Sequence, residues 1–157
     1  MQFDDSLIAL LAYKATQLSK KLTSGIGLPG YLCLYNAEGV LLLHLCLGGR
    51  DIEHIERNYN YSRNVGLELH GMRRFHKIYR TGAQPGAALL LPNGCVVSVA
   101  AFQHEYDAAF ASVCAYLVGQ FSKEECQRVL RSGGNVALFD DMISRLEDEL
   151  LGIEAGT

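Results

Sequence analysis

The chain has 157 residues, a formal net charge of −3, and 49% hydrophobic against 20% charged residues. That balance excludes an intrinsically disordered chain, and the length suits one domain that buries its core without a metal or disulfide staple. A sequence pI of about 5.9 excludes a basic field over the whole surface, which argues against nucleic acid as a partner.

No apolar run approaches the ~18 residues that span a bilayer, and no basic segment precedes an apolar one at the N-terminus. The expectation is a cytoplasmic protein with no membrane partner. Five cysteines, Cys33, Cys46, Cys95, Cys114 and Cys126, form no CxxC pair, and the first four sit in apolar stretches. They read as reduced, buried thiols, and their spacing offers no metal site.

In chain order, residues 5–23 read as a helix: Leu7, Ile8, Leu11, Ala15, Leu18 and Leu22 recur at three- and four-residue spacing. Asp4, Asp5 or Ser6 can cap it. Gly25-Ile26-Gly27-Leu28-Pro29-Gly30 matches GxGxxG. A helix precedes it and a strand follows, the reverse of a dinucleotide site, so it reads as a helix end and turn. Residues 31–35 and 40–47 read as apolar strands around Asn36-Ala37-Glu38-Gly39.

Residues 50–79 carry a helical pattern with Ile52, Ile55, Tyr59, Val65, Leu69, Met72 and Phe75, weakened by Gly66 and Gly71. One broken helix or two are expected there. Strands at 87–91 and 95–102 flank Pro92-Asn93-Gly94, a strong hairpin signal. Residues 106–121 form a helix. Ser122 and Glu125 then make a capping box that opens another, and 136–151 form a last amphipathic helix. The fold class is α/β (α+β): one antiparallel or mixed sheet built from two hairpins and flanked by helices. Residues 1–157 are one domain, with a core at 1–121 and a helical extension at 122–157.

Charge is segregated. Residues 50–80 hold seven basic and four acidic groups, leaving seven basic and thirteen acidic for the rest. The densest part runs from His70 through Arg73, Arg74, His76 and Lys77 to Arg80. Arginine forks suit carboxylate or phosphate oxygens, and imidazoles shuttle protons or ligate metals. A solvated face is the plainer alternative. His104 and Asp107 stand where a strand gives way to a helix, as helix-start groups, as metal ligands or as an acid–base pair. His44, in an apolar strand, reads as a core or interface histidine. Asn58-Tyr59-Asn60-Tyr61 reads as packing or oligomer contacts ahead of base stacking.

From Gly48 to about Leu117 the pattern resembles the GlcG/HbpS-like haem-degrading-domain family. The resemblance lies in Gly82-Ala83-Gln84-Pro85, in Asn93-Gly94-Cys95-Val96-Val97, and in the small-residue strand before Asp107. Tyr35-Asn36-Ala37-Glu38-Gly39 resembles the family's first hairpin, and Arg57-Asn58 its basic middle helix. The resemblance implies a profilin-like domain that forms a homo-oligomer, a dimer or higher, with a ligand pocket between helix and sheet. It makes His70, His76 and His104 candidate axial ligands of haem and Arg73 and Arg74 candidate propionate partners, with Asp107 bordering the pocket.

Three functions follow as expectations. The first is a small-molecule-binding protein for haem or another anionic ligand, with catalysis left open. The second is a roadblock/profilin-like interaction module that functions by dimerising. Roadblock domains normally show a three-strand meander after the middle helix; here the sequence shows two strands there, which favours the first. The third is a small pathway enzyme using His104 or Asp107 as general base on an anionic metabolite.

Overall fold

A computed structural model describes residues 3–26, 30–47, 52–72, 78–80, 85–100 and 104–155, with the backbone alone at 22–26, 52–54, 104 and 148–155. The elements run α1 (Asp5–Ile26), β1 (Gly30–Tyr35), β2 (Leu41–Leu47), α2 (Ile52–Met72), β3 (Ala87–Leu90), β4 (Val96–Ala100), α3 (His104–Leu117), α4 (Lys123–Gly133) and α5 (Val136–Ala155). The four strands form one antiparallel sheet in the order β2-β1-β4-β3. The expected class, helices flanking a sheet of two hairpins, is what the chain adopts.

Strand alternation divides the core. Leu32, Leu34, Val97 and Val99 pack with α1, α3, α4 and α5 in one cluster around Phe110 and Phe139. Tyr31, Cys33, Tyr35, Val96, Ala88 and Leu90 face the other way, onto Val65 and Leu69 of α2. The apolar strands thus need cover on both faces, and helices supply it. Both hairpin tips lie at one end of the sheet, because Tyr35 pairs with Val96 and Tyr31 with Ala100.

The middle helix is continuous, not broken at Gly66. A glycine there serves contact: a Cβ would stand 2.8 Å from Ser98 Oγ and 2.9 Å from Tyr35 Cε2. The helix backbone therefore lies directly on the sheet. Ser62 Oγ donates to the Ser98 carbonyl at 3.1 Å, and Ser98 Oγ donates to the Ser62 carbonyl at 2.8 Å. Both serines are fully buried, so this reciprocal pair satisfies hydroxyls that would otherwise destabilise the layer.

The helical pattern expected to reach residue 79 stops earlier. Tyr79 N donates to Ala88 O and Ala88 N to Tyr79 O, each at 2.9 Å, an antiparallel bridge outside β3. Its phenol donates to the Glu68 carboxylate on α2. A short third segment therefore precedes the second hairpin. The helical tail follows its expected start: Glu125 N donates to Ser122 Oγ and Ser122 N to Glu125 Oε1, each at 3.1 Å.

The two helix glycines should respond in opposite ways. Gly66→Val should destabilise the fold by about 1–3 kcal/mol through overpacking. Among the described residues nothing lies within 4 Å of a Cβ at Gly71, so Gly71→Ala should be neutral or stabilise by up to about 1 kcal/mol. Urea midpoints of the two variants check this; equal midpoints would contradict the close approach of α2.

Candidate functional site

Of the residues expected to border one pocket, His70 and Asp107 have described side chains, and each meets a different part of the fold. His70, on the last turns of α2, places Nε2 at 2.8 Å from the Ala37 carbonyl in the β1–β2 turn. A carbonyl only accepts, so Nε2 carries the proton and donates. The ring also covers Gly39, whose φ is +84° and whose added Cβ would meet His70 Cε1 at 3.0 Å. Asn36 Oδ1 accepts from Glu38 N at 3.0 Å and Val40 N at 2.8 Å in the same turn. His70 thus clamps helix to hairpin.

Asp107, in the first turn of α3, is fully buried. Its charge acts on Arg80, whose guanidinium burial lowers below the usual arginine range while Asp107 and then Glu105 draw it back up. Arg80 Nη2 donates to the Gly133 carbonyl at 3.2 Å. Asn135 Nδ2 donates to Glu105 Oε2 at 3.3 Å, and Asn135 Oδ1 accepts from Leu138 N at 3.2 Å at the start of α5. This polar group ties the third strand segment to α3 and the α4–α5 junction.

His70 and Asp107 therefore lie on opposite faces of the sheet, on helices belonging to different core layers. They also lie near opposite ends: His70 at the hairpin tips, Asp107 just beyond the Ala100 end of β4. One small ligand does not touch both. Arg73, Arg74 and His76 lie outside the described residues, as does the side chain of His104, whose backbone opens α3.

The sequence did not single out the polar group on the α2 face of β1 and β2. Tyr31 OH and His44 Nδ1 are 2.6 Å apart. The Tyr59 ring meets both edge-on, with centroids 5.0 Å from Tyr31 and 5.5 Å from His44. Tyr59 is thus a packing residue, as its spacing on the helix flank suggested. His44 is exposed, which removes the core role expected for it. The only signal for this trio in the sequence is diagonal strand register, which needs the pairing of β1 with β2.

Burial pushes the Tyr31 phenol from 10.0 up to about 12, with smaller contributions from Cys33, Cys46 and Tyr59. It also raises the Tyr35 phenol and the Cys33 thiol, against which Arg63 pulls down. Burial likewise raises Cys95, Cys114 and Cys126, the last to about 12. A thiol is nucleophilic as thiolate; these four are protonated at neutral pH. All five cysteines are free.

Among the described residues no three His, Cys, Asp or Glu side chains sit together to hold a metal ion. No helix there is long and apolar enough to cross a membrane. The chain matches no known family model, no curated protein and no solved structure.

Two variants examine this arrangement. Asp107→Ala removes a fully buried carboxylate whose charge acts on the half-buried Arg80 guanidinium and should destabilise the fold by about 1–3 kcal/mol; chemical denaturation checks it, and a loss below about 0.5 kcal/mol would contradict that role. Because the folded Tyr31 phenol titrates above its unfolded value, its stabilisation is complete below pH 10 and falls as pH rises towards 12. Tyr31→Phe should flatten the fall in denaturation midpoint across that window; an unchanged slope would contradict it.

Proposed function

We propose that this chain is a non-enzymatic, roadblock/profilin-like interaction module that works by self-association. The observation that carries this reading is the third strand segment. Tyr79 bridges to Ala88 ahead of β3 and β4, so three antiparallel segments follow the middle helix. That is the feature whose apparent absence from the sequence favoured a ligand-binding protein.

The interior supports the same reading. α2 meets the sheet in direct contact at Gly66, Ser98 and Tyr35, where a guest between helix and sheet would have to enter. Of the two described members of the expected ligand set, His70 holds the hairpin turn, and Asp107 is buried where its charge acts on Arg80. A haem or other anionic-ligand role then rests on Arg73, Arg74, His76 and the His104 imidazole, without His70 and Asp107 in one place.

Sedimentation equilibrium at micromolar concentration should give twice the 17.3 kDa chain mass, and a haemin titration should produce no Soret shift. A single-chain mass overturns the reading. A Soret shift abolished by His70→Ala, His76→Ala and His104→Ala together would restore the ligand-binding one.

A further inference from the structure

The two edges of the sheet are unlike. Beyond β3 lies the bridged segment 78–80, whose Tyr79 donates to Glu68 and whose Arg80 donates to the Gly133 carbonyl. That edge is blunted by a short, tethered, charged segment. Among the described residues β2 pairs on one side only, with β1. Its seven residues, Leu41 to Leu47, contain no proline and no formal charge, and all but Leu47 are half-buried or exposed. Natural edges usually carry Lys, Pro or an inward charge against pairing; this one carries none.

The sequence of β2 also names its partner. Leu-Leu-Leu-His-Leu-Cys-Leu reads almost the same in both directions about His44. Antiparallel pairing of two such strands about a two-fold axis sets Leu43 against Leu45, Leu41 against Leu47, and His44 against its own copy. A two-fold contact sets like against like. In a chain of net charge −3 it therefore forms most readily on a patch free of charge, and residues 39–49 hold no Lys, Arg, Asp or Glu.

We infer that two copies join edge to edge through β2, antiparallel and centred on His44, giving a continuous eight-stranded sheet with both α2 helices on one face. This rests on the self-association reading above and assigns it a surface. His44 stands on the two-fold axis, its Nδ1 side held by Tyr31 and its ring braced by Tyr59. Its orientation is thus set before the second copy arrives.

Charge substitution at the axis tests the assignment. His44 is exposed, so His44→Lys and His44→Glu should keep the far-ultraviolet circular dichroism of the wild type. Each places like charges opposite one another and should weaken self-association at least tenfold by sedimentation velocity. Mixed in equal amounts, the two should recover a dimer, because Lys then faces Glu. His44→Gln should associate as the wild type does. A dimeric wild type whose Lys and Glu variants associate equally well would overturn the β2 interface and leave self-association standing. A mixture that stays monomeric would also overturn it. A monomeric wild type would overturn both readings.

Discussion

The arrangement depends on the direct seating of α2 on the sheet at Gly66. With a glycine there, the helix backbone reaches the side chains of Ser98 and Tyr35. The buried Ser62–Ser98 pair fixes its register along β4. A larger residue at position 66 would lift the helix and open space beneath it. The same seating brings His70 onto the first hairpin and Tyr59 onto Tyr31 and His44. Helix position, hairpin clamp and edge-strand polar group therefore share one cause.

A sheet filled on both faces directs attention to its edges. Ser62 with Ser98 joins helix to sheet, and the phenol of Tyr31 with His44 joins two neighbouring strands, so these polar groups serve the fold itself. Four of the thiols are raised by burial and stay protonated. The neutral strand β2 differs from these, since among the described residues it pairs on one side only and a strand edge is itself a recognition element. The proposed role in association follows from that contrast.

Much of the fold is legible in local sequence. The apolar stripe of α1, the Asn36–Gly39 and Asn93–Gly94 turns and the Ser122–Glu125 capping box each carry their cause within a few residues. The third strand segment was not legible, because one bridged residue, Tyr79, has no period of its own and follows helical spacing without interruption. Gly66 reads locally as a helix weakness; its benefit comes from Ser98, 32 positions away in the sequence. The surroundings of the candidate site residues are illegible for the same reason. His70 and Asp107 look like functional groups in a charged stretch and at a strand end, and their partners, Ala37 and Arg80, are set only by the tertiary fold.

Amide hydrogen exchange at two protein concentrations tests the account most directly. Amides of α2 around Ser62–Leu69 should exchange slowly and at the same rate in dilute and concentrated samples, because their protection comes from within one chain. The β2 amides not bonded to β1 should be protected in the concentrated sample and should exchange faster on dilution. Protection of those outer-edge amides that does not change with concentration, or protection of α2 that does, would contradict it.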